Sequence, residues 1–224
     1  MNKLIRQFLS WFYRPLLLRY LQKDRPFRYD NLELIVLKSV FHPAFFGSSK
    51  VFAGFLKKQK LTGKKLLEVG CGSGLLSLIA AKEQAIVTAI DINPAAIACT
   101  RTNAVNNHLL VEVIHSDVFK SLTQQAYDIL IVNPPFFEGK ATEDSSYAWY
   151  CGTDYYFFSA FFEGLAQYTH QKSKIWMILS EVCALEPIEA IAKQAHYQLQ
   201  LIHQEKRLFE NFLIFDIQVS HDKA

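Results

Sequence analysis

The tetrapeptide Asn133-Pro134-Pro135-Phe136 is the stretch of the 224-residue chain best suited to chemistry. An Asn side-chain carbonyl and a prolyl backbone carbonyl are two hydrogen-bond acceptors. Together they can take both hydrogens of a planar –NH2 group. Two consecutive prolines fix an extended, stiff backbone and forbid helix. The Phe136 ring beside them can stack on a planar partner. Such an array suits a neutral amine or amide nitrogen acting as nucleophile. Alone, it is also compatible with an ordinary strand-ending turn.

Three further groups sit at comparable places upstream. The run Glu68-Val69-Gly70-Cys71-Gly72-Ser73-Gly74 brings glycines that let the backbone approach a ligand closely. Glu68, just before the glycines, can face a cationic ligand. Cys71 reads as a small loop residue lending its backbone, with nothing nearby to make a thiolate. Asp91, with Ile92 next to it, lies 21 residues after Gly70, where an acid accepts hydrogen bonds from both ribose hydroxyls. Asp117 can accept from an adenine amino group, with Val118 and Phe119 against the ring; a turn-capping Asp is the competing reading. His42 reads as a structural or solvated histidine rather than a base.

These residues need elements to hold them. Lys65–Val69, Ile86–Ile90, Val111–His115 and Tyr127–Val132 are short apolar runs that read as buried strands. A helix is expected over Leu75–Lys82. A second starts at Pro94 with Asn93 as its cap and runs to about Asn107. Strand and helix thus alternate, and four strand ends carry Glu68/Gly70, Asp91, Asp117 and Asn133 to one edge. In a parallel α/β sheet the ligand crevice lies along that edge. Upstream, Asp24–Asp30 reads as a polar joint and Leu32–Leu37 as a strand. Phe41–Ser49 reads as an aromatic loop, and Ser48 or Ser49 as the cap of a helix over Lys50–Lys58. Downstream come a long loop over Phe137–Thr153, an aromatic helix over Tyr155–His170 and a fifth strand, Ile175–Leu179. A helix over Pro187–His196 and a closing antiparallel pair, Gln198–Leu208 with Phe212–Val219, complete the pattern.

Half of the residues are hydrophobic, enough for one domain with a sizeable core. No apolar run approaches the ~20 residues needed to span a bilayer. Cys71, Cys99, Cys151 and Cys183 are widely spaced, so neither a metal site nor a disulfide framework is expected, and a reducing cytoplasm is the expected compartment. The net charge of +3 hides an asymmetry: residues 1–62 carry 12 Lys/Arg against 3 Asp/Glu, and the rest carries the opposite excess. Leu4, Ile5, Phe8, Leu9, Phe12 and Leu16 form an amphipathic stripe among Lys3, Arg6, Arg14 and Arg19. This segment can cap the domain, lie on an anionic membrane surface or hold a phosphate backbone.

Taken together, Glu68–Gly74, Asp91, Asp117 and Asn133–Phe136 resemble the successive motifs of class I S-adenosylmethionine-dependent methyltransferases. The spacing Gly-x-Gly-x-Gly, with Leu75 where a dinucleotide fingerprint has glycine, is similar to theirs rather than to that of NAD enzymes. Asn-Pro-Pro-Phe/Tyr resembles the subset that methylates planar nitrogens: HemK-like protein glutamine enzymes, adenine-N6 DNA and RNA enzymes, and guanine-N2 ribosomal RNA enzymes. The resemblance implies a doubly wound, seven-stranded Rossmann-like sheet with a C-terminal antiparallel strand. It implies a methyltransferase domain over residues 32–224 behind a basic extension over 1–31. S-adenosylmethionine is the implied cofactor, held by Phe46, Ser49, Glu68, Gly70, Cys71, Gly72, Gly74, Asp91, Ile92, Asp117, Val118 and Asn133, with the Phe41–Ser49 loop closing over its methionine end. Asn133, Pro134, Pro135 and Phe136 are the implied catalytic set. A cytosine-C5 mechanism is disfavoured, because Pro135 stands where a nucleophilic Cys would be needed.

The implied partner is a macromolecular substrate. Glu138, Glu143, Asp144 and Asp154 outnumber Lys140 along the long loop, and Ala148–Asp154 is similar to the corresponding stretch of HemK-like enzymes. Both favour a protein glutamine. Their usual Gly-Gly reads Cys151-Gly152 here, and the basic first quarter favours an RNA or DNA base as the alternative. A non-catalytic cofactor-binding module is a further reading.

Overall fold

The computed structural model describes residues 23–44, 47–142, 147–207 and 210–220. The expected amphipathic stripe at the N-terminus lies outside the described residues.

The first described element is a hairpin of β1 (Arg25–Tyr29) and β2 (Leu32–Val36), paired antiparallel with Phe27 opposite Leu34. The expected joint over Asp24–Asp30 is therefore a strand. Pro26 is tolerated because β1 pairs on one side only and an edge strand does not need every N–H. The boundary expected between residues 31 and 32 falls in the turn of this hairpin. Asp30 there adopts φ +53° and accepts from Lys57 at 3.0 Å and Lys82 at 3.4 Å, which hold its carboxyl below the usual range.

The main sheet has seven strands: β3 (Lys65–Val69), β4 (Ile86–Asp91), β5 (Val111–His115), β6 (Tyr127–Val132), β7 (Thr169–Ser180), β8 (Tyr197–Arg207) and β9 (Glu210–Val219). Their spatial order is β5-β4-β3-β6-β7-β9-β8. All neighbours from β5 to β7 pair parallel, and β9 is antiparallel to both β7 and β8. The chain winds outward from β3 to β5 and then returns to lay β6 beside β3. The order reverses between those two strands, and ligands bind at such a switch point, outside the carboxyl ends of the strands.

Alternation along the central strands feeds two cores. Leu66, Ile129, Ile131, Ile178 and Ile214 face one way, packed with the hairpin and with α1 (Gly47–Leu56), α2 (Leu75–Lys82) and α3 (Pro94–Asn106). Leu67, Leu130, Val132, Met177 and Phe215 face the other way, with α4 (Tyr156–Gly164) and α5 (Leu185–Gln194). Strands covered on both faces read as continuous apolar runs, as these do. Phe158, Phe161 and Phe162 of α4 are wholly buried, so the aromatic helix is core. α4 ends at Gly164 and a 3-10 turn follows, so the helix is shorter than the stretch expected to His170. Among the described residues no helix is long and apolar enough to cross a membrane.

Candidate active site

A cleft of about 1370 Å³ opens along the carboxyl ends of β3, β4 and β6. Its floor at the β3 end is the glycine loop. Gly70 and Gly72 adopt φ +78° and +54°, in the left-handed region that L side chains avoid, and a Cβ on either would point into open space. Both line the cleft, as do Glu68 and Cys71. Gly74 does not. It sits at the start of α2 with φ +82°, where a Cβ would come 2.9 Å from Thr100. Its glycine serves the packing of α2 on α3, and it stands outside the cleft lining, where the resemblance implied a cofactor contact.

Glu68 is almost fully buried, and its carboxylate accepts from the Ser77 hydroxyl on α2. Burial pushes its pKa up to about 8, against the opposing pull of that hydrogen bond. Burial and the acids Asp91 and Glu68 also push the Cys71 thiol well up, so it stays neutral, as a loop residue should.

Asp91 ends β4. Its Oδ2 accepts from Gly72 N and its Oδ1 from Asn93 N, both at 2.8 Å. Burial pushes its pKa up, and these two N–H donors act against that. Each carboxylate oxygen has a further lone pair. The acid thus shapes the glycine loop and still presents acceptors to the cleft, beside Ile92.

Asp117 and Val118 follow β5. Asp117 Oδ2 accepts from Tyr156 OH at 2.9 Å and from Lys120 Nζ at 2.7 Å. Tyr156 opens α4, so this contact ties the β5 end to the far side of the cleft. Val118 lines the cleft in the left-handed region at φ +48°, a strained conformation for a β-branched residue. Phe119 does not join it. Its ring stacks on Tyr168 at 4.6 Å and on Phe161, inside the second core. The pairing of Val118 and Phe119 against one ligand ring is therefore corrected: the left-handed turn at Val118 sends the next side chain inward.

Asn133 follows β6, and its Nδ2 donates to the hydroxyls of Ser48 and Ser49, each at 3.3 Å. The two serines lie within α1 and do not cap it from outside. Pro134, Pro135 and Phe136 line the cleft with Asn133. The half-buried Phe136 ring packs against both cores at the seam where the sheet ends. Beyond it, the 137–153 loop folds back on itself through Phe137 N to Trp149 O at 2.9 Å and Cys151 N to Phe137 O at 2.8 Å. Phe137, Tyr147 and Tyr150 are exposed, and Trp149 meets Phe41 edge-on at 5.9 Å across the cleft mouth. Phe46 lies outside the described residues. His42 is buried against Phe27, outside the cleft lining, with its pKa pushed down by burial.

Several cleft residues escaped sequence reasoning: Ser48 as a partner of Asn133, Tyr156 and Lys120 as partners of Asp117, and Glu210 and Phe212 from the last strand. A Cβ at Gly47 would run into the Phe212 ring, which explains a glycine there. No local signal pairs Ser48 with Asn133 or Tyr156 with Asp117, which lie 85 and 39 residues apart, whereas Lys120 stands only three residues from Asp117.

The descriptive model of the "methyltransferase small domain" family matches residues 31–150, which span the hairpin's second strand through the whole Asn133 motif. A tRNA1(Val) (adenine(37)-N6)-methyltransferase of Flavobacteriaceae bacterium strain 3519-10 is 33% identical over 128 residues, 55% of this chain and 54% of that one. Of solved structures, the T. thermophilus 16S rRNA N2 G1207 methyltransferase in complex with AdoMet and guanosine superposes with a TM-score of 0.63 at 20% identity, over 87% of this chain and 50% of that one. The E. cuniculi complex responsible for methylation of the eRF1 translation termination factor gives 0.61 at 16% identity, over 81% and 99%. These two likenesses establish the seven-stranded, Rossmann-like fold. The chain spans about half, or less, of the length of the curated relatives it matches. On the family match over more than half of its length, the chain belongs to the methyltransferase small domain family.

Proposed function

We propose that the chain is an S-adenosylmethionine-dependent N-methyltransferase acting on a planar –NH2 group of a macromolecule. The carrying observation is the setting of Asn133: its Nδ2 is occupied by two serine hydroxyls on the cleft floor, which leaves its Oδ1 as the acceptor beside Pro134.

The cofactor fits the residues present. Gly70 and Gly72 leave room for close backbone approach, Asp91 suits ribose hydroxyls, and the open face of Asp117 suits an adenine amino group. Glu68 lies at the end where a cation would sit. The cleft exceeds the ~300–1,000 Å³ that usually holds one small ligand, leaving space for an acceptor group beside it. Bound there, the cofactor supplies an electrophilic sulfonium methyl. Asn133 Oδ1 and the Pro134 carbonyl orient the acceptor nitrogen by taking its two hydrogens, and Phe136 supports its plane. The methyl would pass from the sulfonium to this nitrogen, the sulfonium leaving as a neutral thioether, and the nitrogen's surplus proton would go to water. Positioning supplies much of the rate, because no strong base is needed while the sulfonium charge is being consumed.

The exposed aromatics Phe137, Tyr147 and Tyr150, on the loop that follows Phe136, favour an RNA base, since flipped bases are held by aromatic stacking. The similar tRNA adenine-N6 enzyme supports the same choice. The protein glutamine reading is favoured by the acidic Glu138 and Asp154 on the rim and by the fold shared with the enzyme that methylates a termination factor. The deciding test is transfer of labelled methyl into cell extract, followed by separate nuclease and protease digestion. Label released by nuclease supports the RNA reading, and label released by protease alone replaces it with the protein one. No transfer to either fraction removes the enzymatic reading.

A further inference from the structure

Asn133 is held by a segment 84 and 85 residues away in sequence. Its carboxamide has two N–H donors and one carbonyl acceptor on opposite sides of the same carbon. Ser48 Oγ and Ser49 Oγ each stand 3.3 Å from Nδ2. Both serines are buried. They sit in the first turn of α1, which begins at Gly47, so neither hydroxyl is engaged as an outside cap. The start of that helix is fixed in turn by Phe212, which packs where a Cβ at Gly47 would be.

The orientation of this amide decides the chemistry. With Nδ2 turned to the serines, Oδ1 faces away from them and can accept from a substrate –NH2. A flipped amide would turn Nδ2 toward the substrate –NH2, donor against donor, while the serine hydroxyls, which donate as well as accept, would still hold the group in place. We propose that Ser48 and Ser49 are positioning residues whose hydroxyls hold the Asn133 carboxamide in place at the acceptor end of the cleft. This inference rests on the functional reading above.

The test uses the full chain with Ser48→Ala, Ser49→Ala and the double variant. Binding of S-adenosylmethionine is followed by calorimetry, and turnover by methyl incorporation into whichever extract fraction, bulk RNA or protein, the wild type labels. The double variant is expected to keep cofactor affinity within about threefold while kcat falls on the order of 10²-fold, the scale of a misplaced catalytic group. Each single variant keeps one hydroxyl and falls in between. Ser49→Thr in the Ser48→Ala background keeps one hydroxyl and is expected to match Ser48→Ala alone, well above the double alanine variant, which a general packing defect would not allow. A double variant within twofold of wild-type kcat overturns the proposal, as does a cofactor affinity that falls as far as kcat.

A second readout does not depend on turnover. The side-chain –NH2 resonances of Asn133, assigned by their loss in Asn133→Asp, should exchange slowly with solvent in the wild type and faster in the double variant. If the wild type methylates neither fraction, the functional reading fails, and this exchange measurement still decides whether the serines hold the amide. Equal exchange in both proteins overturns the positioning role.

Discussion

The carboxamide of Asn103 pairs with both backbone groups of Ile35: its Oδ1 accepts from Ile35 N at 2.8 Å and its Nδ2 donates to Ile35 O at 3.0 Å. Asn107, one turn later at the C-cap of α3, repeats the pattern with Glu33 at 3.0 and 2.8 Å. Two asparagines at i and i+4 thus stand in for a neighbouring strand along the open edge of β2. Asn103 Nδ2 also donates to Ser73 O at 2.9 Å, so the same side chain clips the hairpin to the glycine loop.

Asn103→Ala strands a part-buried N–H and leaves two carbonyls short of a donor. The expected cost is about 2–3 kcal/mol, from the usual ~1–3 kcal/mol of an unsatisfied buried group and its neighbours. Asn107→Ala, at an exposed pair, should cost about 1 kcal/mol or less. Urea unfolding of the two variants measures this directly. Equal losses at both sites would mean that the clip to Ser73 adds nothing.

Asp91 performs two tasks, and its removal should show both. In Asp91→Ala, Gly72 N and Asn93 N lose their acceptor, so the glycine loop loosens before any ligand arrives. Hydrogen bonds to a charged group are worth about 1.5–3 kcal/mol each, so cofactor affinity should fall roughly 10- to 100-fold. Asp91→Asn keeps an acceptor for one N–H only and should fall between. Calorimetric titration with S-adenosylmethionine checks the order; unchanged affinity in Asp91→Ala would remove the ribose role.

Asn133 should separate binding from turnover. Its side chain contacts the serines and the acceptor end of the cleft, while the glycine loop and Asp91 stand at the other end. Asn133→Ala is therefore expected to bind cofactor within a few-fold of the wild type and to lose on the order of 10²- to 10³-fold in kcat, the scale of a lost transition-state donor or acceptor. Steady-state rates at saturating cofactor make the comparison, and near-normal turnover would sink the assignment.

The parallel half of the sheet was legible because its strands are covered on both faces. Leu66-Leu67 and Ile129-Leu130-Ile131-Val132 are continuous apolar runs, and each ends in a residue whose chemistry stands out from the run. β1 was not legible: Phe27 alone among Arg25–Tyr29 is buried, and Pro26 disguises an edge strand. The Ser48–Asn133, Tyr156–Asp117 and Asn103–Ile35 contacts left no local mark either. They join residues dozens of positions apart, and only the folded sheet brings them together. Val118 illustrates the same limit at short range. A β-branched residue gives no sign of adopting φ +48°, yet that angle sends Phe119 away from the ligand side.

Glu68 makes the site sensitive to pH. Its pKa rises from the ordinary 4.5 to about 8 in the folded chain, chiefly through burial. Between those values the folded state keeps a proton that the unfolded state has lost. Stability attributable to this group is therefore fully present below about 4.5 and declines as pH rises toward about 8. The total is on the order of a few kcal/mol. Glu68→Gln cannot lose the proton, so relative to the wild type it should gain stability between pH 5 and pH 8, as read by urea unfolding at both. Cofactor binding should show the opposite face of the same titration. A cationic ligand next to Glu68 favours its ionised form, so binding near pH 7 should release a proton and tighten as pH rises toward about 8. Calorimetry in phosphate and in Tris, whose ionisation heats differ, counts that proton. In Glu68→Gln the Glu68 share of the release should vanish and the affinity at pH 8 should fall. Equal proton release in the two proteins would mean that Glu68 stays protonated in the complex, holding the ligand as a hydrogen-bond donor with no charge of its own.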